Sequence, residues 1–362
     1  MNLKEPKSSK KHRFDKQQIK EEVFLVVKVG VVGYGVIGLR LATGVSLQDD
    51  MELVGVADVG LTLPVRALLE RGMPYDFYLA IPDNREKLEA AGVPISGTLE
   101  DLVQKCDVIL DATSAGVGAK NKEIYAKYGK KAIFQGGEST EVADVFFHGY
   151  ANYEEGLGKQ FLKLTSCNTT GLIRAVDCLD RELGVENVML TIVRRVADPG
   201  DYHRGLTNAL KVDTVPSHQA TDLMLIMPHI KATGVLVHTP VTHGHFISVN
   251  IKPKKSTTTE EVLRYFNEHP RIRVVRIADG FQGNAAIFRY ARDLARPHSD
   301  MYDIAIFEET VTVFEGHVIF GLHVPQEAVV IPETVDGIRA VMEMSTDRLE
   351  AVQVTNKFLN MA

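Results

Sequence analysis

The residue of this chain with the clearest capacity for catalytic chemistry is a cysteine. Cys167 lies in the run Thr165-Ser166-Cys167-Asn168-Thr169, which follows an apolar strand-like segment and precedes a helix-like one. At a helix N-terminus, unpaired main-chain N–H groups and the helix dipole favour the thiolate, which is the nucleophilic form. Ser166, Asn168 and Thr169 can cap the helix and donate hydrogen bonds to an oxyanion on a substrate. The pattern predicts a nucleophilic cysteine, with a buried, inert thiol as the alternative.

A nucleophilic cysteine needs a base, and ten histidines follow Cys167 in the chain. Spacing alone does not select one of them. His243, in the run Thr242-His243-Gly244-His245, lies in a turn before a strand, which is a better place for an accessible imidazole than mid-strand. His243 and His245 could share one side of that strand, but no third ligand follows at metal-motif spacing. A metal site is therefore not predicted.

The glycine run GYGVIG at 33–38 follows a β-branched run and opens a helix-like segment. Gly33 and Gly35 permit a tight turn and close approach of a pyrophosphate, and Gly38 lets the helix touch the strand. The helix N-terminus then supplies N–H groups to the phosphates. Asp58 ends the second strand, 20 residues after Gly38. A carboxylate there bonds ribose hydroxyls and repels a 2′-phosphate, so NAD is favoured over NADP; a solvated loop aspartate is the alternative.

The elements that position these residues follow two different patterns. From 24 to 165, strands such as MELVGVAD, DVILDAT and KAIFQGG alternate with helical segments. This predicts an α/β fold, with parallel strands in a Rossmann NAD(P)-binding domain. From 166 to 332, short alternating runs such as HGHFISVNIK and HVIFGLHV predict an α+β catalytic domain whose largely antiparallel sheet is covered on one face and lacks regular intervening helices. Helical spacing predicts one or two C-terminal helices within 333–362.

Composition excludes several classes of protein. The 362 residues are 45% apolar and 24% charged with a net charge of -6, which excludes disorder and collagen-like repeats and argues against nucleic acid as the principal partner. Cys106 and Cys178 are typical core residues, and three cysteines are too few for a disulfide framework or a zinc cluster. We expect reduced thiols, a cytoplasmic setting and no membrane span or export signal. Residues 1–22, with seven Lys/Arg, are expected to form a flexible basic tail, a nucleic-acid-binding arm being the alternative.

Several motifs together resemble one known family. They are GYGVIGLR (33–40), GVGAKNK (116–122), KAIFQGGE (131–138), SCNTTGLIR (166–174), VRRVADP (193–199), PSH (216–218) and IPETVDGIRA (331–340). The sequence from about Val29 to Phe358 resembles the archaeal-type phosphorylating glyceraldehyde-3-phosphate dehydrogenases. The resemblance implies a Rossmann domain, a catalytic domain with a mixed sheet, a C-terminal helix returning to the Rossmann domain, and a homotetramer.

The resemblance also assigns roles to residues. It implies that Cys167 is the nucleophile and His243 the catalytic base. The implied substrate contacts are Ser166, Asn168, Thr169, Arg194, His218 and Gln219. The implied cofactor contacts are Gly33, Gly35, Val36, Ile37, Gly38, Asp58, Gly137, Arg195 and Gln326.

This chain departs from the family at two informative positions. The family usually reads PSHHGPD where this chain reads PSHQATD, so Gln219 replaces a histidine and can carry no positive charge. Asp58 stands where many members have a lysine suited to NADP. The expected reaction is reversible oxidation of D-glyceraldehyde 3-phosphate with inorganic phosphate and NAD(P) to 1,3-bisphosphoglycerate. The alternatives are a semialdehyde dehydrogenase or acyl-phosphate reductase for another substrate, and a catalytically inactive nucleotide-binding regulator.

Overall fold

The first part of the chain builds a parallel sheet. The computed structural model describes residues 26–195 and 210–361, so the predicted tail at 1–22 lies outside the described residues. The elements are β1 (Val27–Val32), α1 (Val36–Ser46), β2 (Met51–Asp58), α2 (Leu63–Glu70), β3 (Asp76–Leu79), α3 (Arg85–Ala90), β4 (Gly97–Thr98), α4 (Leu99–Lys105), β5 (Val108–Asp111), α5 (Gly118–Lys127), β6 (Lys131–Phe134), β7 (Val145–Phe147) and β8 (Phe161–Leu164). Their strand order is β4-β3-β2-β1-β5-β6-β8-β7, with parallel pairing throughout.

Helices cover both faces of this sheet, which explains why its strands are apolar almost without interruption. On β1, Val29 and Val31 join the core beneath α1, whereas Val32 faces the smaller core beneath α4. The predicted cap of α4 is present, because Thr98 and Asp101 form a reciprocal capping box. These features confirm the predicted Rossmann-type architecture.

The second part of the chain builds a mixed sheet. Its elements are α6 (Cys167–Leu183), β9 (Val185–Arg195), β10 (Lys211–Val212), α7 (His218–Ile226), β11 (Lys231–Thr239), β12 (His245–Pro253), α8 (Thr259–Glu268), β13 (Ile272–Val275), α9 (Asn284–Asp293), β14 (Ile304–Phe307), β15 (Thr312–Phe314) and β16 (His317–Val324). The order is β10-β11-β9-β12-β16-β14-β13, and β15 pairs with β16. Only β9–β11 and β13–β14 among these described pairs are parallel, which confirms a mixed, largely antiparallel sheet.

The expectation that no regular helices interrupt this sheet is wrong. Three helices, α7, α8 and α9, lie between its strands. The signal for α8 was present in the sequence, because Thr258 and Glu261 form a capping box before an amphipathic segment whose Val262 and Phe266 are buried. The strand segments before and after α8 are more strongly apolar, so they are easier to detect in the sequence than this amphipathic helix.

The chain ends in two helices, α10 (Val330–Val341) and α11 (Arg348–Phe358). Every residue of α10 is buried, and the helix packs against α1, β6 and β8 of the parallel sheet. Arg339 of α10 bonds Asp50 and Gln48 of that region. The domain limits at 165/166 and 332/333 stay predictions, since α10 begins three residues before the second limit.

Buried charges tie α10 to the rest of the fold. Arg174 of α6 donates to both carboxylate oxygens of Glu333, at 2.9 and 2.6 Å, and Arg271 donates to Glu333 and Asp336. All four side chains are fully buried. Among the described residues, no helix combines the length and apolarity needed to cross a bilayer, and no group of His, Cys, Asp and Glu is arranged to hold a metal ion.

Candidate functional site

The glycine loop has the geometry that a bound dinucleotide needs. Gly33 has φ +86°, and an added Cβ would lie 2.9 Å from the backbone of Ala112 and Thr113. A Cβ on Gly38 would lie 1.9 Å from the carbonyl oxygen of Gly33, so helix and strand touch there. Beside Gly35 there is no atom within 4 Å of the Cβ position. The loop therefore requires glycine for folding at two positions and leaves open space at the third, as close approach of a pyrophosphate would require.

This loop lies at the point where the strand order reverses. β1 lies between β2 and β5. The strands β2, β3 and β4 extend the sheet on one side of β1, and β5, β6, β8 and β7 extend it on the other side. In such sheets the ligand crevice forms outside the carboxyl ends of the strands at that point. α1 begins at Val36, and its N-cap residue, Gly35, has no side chain that could accept a hydrogen bond from the first N–H groups of the helix. These N–H groups can therefore bind an anionic ligand in the crevice.

Asp58 is the last residue of β2, as the sequence predicts, and its side chain is buried. Its carboxylate accepts hydrogen bonds from the main-chain N–H groups of Tyr34, at 2.7 Å, and Val59, at 2.6 Å. Burial raises the pKa of Asp58, and these bonds oppose that shift. The carboxylate thus fixes the glycine loop against the end of β2.

Cys167 is the first residue of α6, directly after β8 and the short link at 165–166. Its side chain is half-buried, and Sγ lies 3.5 Å from Nε2 of His245. Ser166 occupies the N-cap position, but its Oγ bonds Thr169 Oγ1 rather than a helix N–H. The thiol therefore sits at the positive end of a 17-residue helix beside an imidazole.

His245 is the first residue of β12, and its ring is fully buried. The main-chain N–H of Arg195 donates to its Nδ1 at 3.1 Å. Burial lowers the pKa of His245 well below its usual value, and the charges of Arg195 and Arg194 lower it further. The ring is therefore neutral, and because Nδ1 accepts a hydrogen bond, its proton is on Nε2, facing Cys167.

The prediction that His243 pairs with Cys167 is wrong. His243 Nδ1 bonds Thr242 Oγ1 at 2.9 Å, and the ring packs edge-on against Phe288. It lines a neighbouring cavity of about 480 Å³ rather than the one that contains Cys167. Gly244, with φ +73°, turns the chain between the two histidines, so they do not alternate as strand neighbours. The alternation of side chains along β12 would have indicated the right histidine, because His245 shares the buried face of this strand with Ile247.

The thiol and the N-terminus of α1 border one cavity of about 510 Å³. Eight residues predicted to belong to the site line it: Val36, Ile37, Gly137, Ser166, Cys167, Arg194, His218 and Gln326. The other predicted residues do not line this cavity. They are Gly33, Gly35, Gly38, Asp58, Asn168, Thr169, Arg195, Gln219 and His243.

Three of the residues off the wall have clear structural partners. Arg195 donates to the carbonyl of Thr242 and forms an ion pair with Glu327 at 2.7 Å. The remainder of the predicted VRRVADP motif, 196–199, lies outside the described residues. Thr169 Oγ1 donates to Asp222 at 3.0 Å. Gln219 is buried, and its Nε2 lies 2.6 Å from Nε2 of His218.

Sequence reasoning missed part of the cavity wall: Gln135, Gly136, Glu138, Thr140, Phe146, Lys163, Thr165, Asp222, Glu327 and Val330. Lys163 is the most informative of these residues, because it is a charged residue in the buried strand β8. A lysine inside an apolar run four residues before the nucleophile is a signal that the sequence did offer. The assembled site combines a thiol, a neutral imidazole, cationic side chains and a dinucleotide loop, which suits oxidation of an aldehyde through a covalent thioester.

Comparisons with known proteins agree with this geometry. Residues 166–316 match the family model "Glyceraldehyde 3-phosphate dehydrogenase, C-terminal domain", and residues 27–141 match "Dihydrodipicolinate reductase, N-terminus". The glyceraldehyde-3-phosphate dehydrogenase of Methanosarcina mazei is 40% identical over 336 residues, which cover 92% of this chain and 99% of that protein. The enzyme of that name from Thermococcus kodakarensis is 43% identical over 335 residues, covering 92% and 98%.

A solved structure extends the likeness at the level of the fold alone. Aspartate semialdehyde dehydrogenase II from Vibrio cholerae aligns with a TM-score of 0.60 at 14% identity, over 88% of this chain and 98% of its own. The curated relatives are far more similar in sequence, and they cover both parts of the chain. The protein therefore belongs to the glyceraldehyde-3-phosphate dehydrogenase family, in its archaeal branch.

Proposed function

We propose that the protein catalyses the reversible phosphorylating oxidation of D-glyceraldehyde 3-phosphate to 1,3-bisphosphoglycerate, with NAD as the preferred cofactor. The observation that carries this proposal is the contact between buried His245 and Cys167, which lines a cavity bordered by the N-terminus of α1. A thiolate nucleophile beside a dinucleotide loop is what a thioester-forming aldehyde dehydrogenase requires.

The residues present fit a nicotinamide dinucleotide. The open space beside Gly35 suits its pyrophosphate, and Val36, Ile37, Gly137 and Gln326 line the cavity between that loop and Cys167. A dinucleotide bound there would supply the hydride acceptor for aldehyde oxidation. Asp58 favours NAD, because its carboxylate is adjacent to the glycine loop and would repel a 2′-phosphate.

The protein's own groups account for the first step. The Cys167 thiolate attacks the aldehyde carbon, a sulfur–carbon bond forms, and the carbonyl oxygen becomes an alkoxide. His245 keeps its proton on Nε2 and donates a hydrogen bond to that alkoxide, which stabilises the charge where it develops. Loss of hydride from the same carbon restores the carbonyl and leaves a thioester on Cys167.

The second step needs an anion site. Inorganic phosphate attacks the thioester carbon, the carbon–sulfur bond breaks, and Cys167 returns to the thiolate as the acyl phosphate leaves. Arg194 and His218 line the same cavity and can hold phosphate groups by charge-assisted hydrogen bonds. Gln219 is buried beside His218, and its Nε2 lies 2.6 Å from Nε2 of that ring, so it can position His218 without adding charge.

We also propose that the protein self-associates, as a homotetramer, and works in the reducing cytoplasm. One face of the mixed sheet carries exposed apolar residues, including Met189 on β9 and Val235 on the adjacent β11, and such a face suits a subunit interface. All three cysteines are free thiols, as catalysis by Cys167 requires. Light scattering on a sizing column tests the tetramer, and elution as a monomer would contradict it.

The test of the activity is absorbance of the reduced nicotinamide with glyceraldehyde 3-phosphate, with and without phosphate, using NAD or NADP. We expect phosphate-dependent reduction with a higher kcat/KM for NAD than for NADP. Asp58→Ala should bring these two kcat/KM values closer together. Reduction only with a different aldehyde, such as a semialdehyde, would reject the proposed substrate. Absence of reduction with every aldehyde would indicate a nucleotide-binding protein without catalysis.

A further inference from the structure

Lys163 carries a buried positive charge on the wall of the Cys167 cavity. It lies on β8, and only 3% of its surface is exposed. Its Nζ donates to the carbonyl oxygens of Gly136, at 3.0 Å, and Leu164, at 2.6 Å. An ammonium group has three N–H donors. The third has no hydrogen-bond acceptor among the described residues, and the ring of Phe146 is its nearest π partner, 5.9 Å from Nζ.

A second lysine shows what a purely structural arrangement looks like in this fold. Lys131 begins β6, which is the strand adjacent to β8. Its Nζ donates to three main-chain carbonyl oxygens, those of Gly158, Lys159 and Val341. Its donors are thus all used, and it lies outside the cavity. Lys163 differs because one of its three N–H groups has no hydrogen-bond acceptor among the described residues, and because its side chain lines the cavity that contains Cys167.

The charged groups facing Lys163 have other partners. Asp222 of α7 accepts a hydrogen bond from Thr169, and Glu138, after β6, accepts one from the main-chain N–H of Gly118 at 2.9 Å. Burial lowers the pKa of Lys163, both carboxylates oppose that shift by favouring the charged form, and the resulting pKa is about 8. Arg194 of β9 and His218 of α7 line the same cavity from the other elements, with Glu327 paired to Arg195. Lys163 is thus a cation at neutral pH.

We propose that Lys163 binds the phosphoryl dianion that reacts at Cys167, supplying positive charge to a site in which Gln219 is neutral. This inference rests on the proposed function. The dianion has two sources in that reaction, the phosphate ester of the triose and the inorganic phosphate that attacks the thioester. Charge-assisted hydrogen bonds to such groups are strong and short-ranged, so the effect should fall on the KM of one anion.

Steady-state kinetics of Lys163→Met, Lys163→Gln and Lys163→Arg separate the two sources. Loss of a hydrogen bond to a charged group should raise the affected KM about 10- to 100-fold. An increase confined to glyceraldehyde 3-phosphate, with unphosphorylated glyceraldehyde unaffected, identifies the ester. An increase confined to inorganic phosphate, and to arsenate in its place, identifies the attacking anion. Lys163→Arg should restore much of the loss, because it keeps the charge.

The matched control is Lys131→Met, which should lower stability towards urea and leave both KM values within about twofold. In the wild type, the affected KM should rise above pH 8 as Lys163 loses its proton. Lys163→Arg should lack that rise, since arginine stays charged. The inference is overturned if the Lys163 variants fold and both anion KM values are unchanged, or if the KM for NAD is the one that rises.

A binding measurement separates this inference from the proposed function. Inorganic phosphate should slow alkylation of Cys167 by iodoacetamide in the wild type and fail to do so in Lys163→Met. Protection without any aldehyde oxidation would reject the function and retain the anion site. Oxidation of glyceraldehyde 3-phosphate with equal protection in both proteins would retain the function and reject the role of Lys163.

Discussion

Two clusters of charged side chains contact α6, and they differ in how their charges are satisfied. The closed cluster consists of Arg174, Arg271, Glu333 and Asp336, and each guanidinium donates to carboxylates in the fully buried interior. The open cluster consists of Lys163, Arg194, His218 and Asp222, which line a cavity of about 510 Å³ beside Cys167. The middle of the helix is therefore fixed by saturated ion pairs, and its N-terminal turn faces groups that can still bind a ligand.

This difference separates stability from activity. Removing one member of a saturated buried ion pair leaves an uncompensated charge, which is strongly destabilising. Removing a group that faces a cavity leaves room for water to solvate the groups it contacted, so we expect a smaller loss of folding free energy. Changes in the closed cluster should lower the free energy of unfolding, and changes around the open cluster should stop the chemistry in a folded protein.

The largest expected effect is on activity alone. Cys167→Ala removes the nucleophile, so aldehyde oxidation should fall by at least about 10⁴-fold. The urea midpoint and NAD binding should stay near wild type, because the thiol is half-buried and alanine removes only one atom from its side chain. Cys178→Ala, at a buried thiol on the same helix, is the control and should retain activity. Residual dehydrogenase activity in Cys167→Ala would remove this cysteine from the mechanism.

The next effect is on stability alone. Arg174→Met leaves Glu333 without its main partner and should lower the free energy of unfolding by about 3–5 kcal/mol. Arg85→Ala is the matched control, because it breaks an exposed ion pair with Glu89 and should cost under about 1 kcal/mol. Urea unfolding at fixed protein concentration measures both values. Equal losses in the two variants would contradict the distinction between clusters.

A smaller effect on activity distinguishes the two histidines. His245→Asn should lower kcat by about 10²- to 10³-fold, the usual cost of one oxyanion donor. His243→Asn should change kcat by less than about threefold, because its ring packs on Phe288 in the neighbouring cavity. Single-turnover reduction of NAD gives the chemical step directly. The reverse ranking would restore His243 as the catalytic residue.

The smallest effect is a pH dependence of the closed cluster. Burial alone would raise the pKa of Glu333, but Arg174 and Arg271 lower it to about 2. Its contribution to stability is therefore complete above the unfolded pKa, near 4.5, and is lost as pH falls towards 2. Glu333→Gln should show a shallower loss of unfolding free energy between pH 5 and pH 3. An unchanged slope would place the acid sensitivity elsewhere.

The sequence predicted local features well. The glycine loop, the end of β2 at Asp58 and the start of α6 at Cys167 each depend on a short run whose backbone demands are visible in residue types. The histidine was harder, because the turn at Gly244 decides which ring faces Cys167. The alternation of buried and exposed side chains along β12 favours His245, whereas the accessibility of the turn led to the prediction of His243.

Long-range features could not be predicted in the same way. Arg174, Arg271 and Glu333 are separated by 97 and 62 residues, and no local pattern pairs them. The burial of Lys163 depends on the sheet order, which places β8 between β6 and β7. Each case depends on which elements become neighbours, and that depends on the whole fold.

The central claim is that Cys167 carries an acyl group that phosphate removes. The most direct measurement is mass spectrometry of the protein mixed with glyceraldehyde 3-phosphate and NAD in the absence of phosphate. The predicted result is one 3-phosphoglyceroyl group on the peptide containing Cys167, with one reduced NAD per subunit, and its release when phosphate is added. Reduced NAD without an adduct, or an adduct on another residue, would contradict the account.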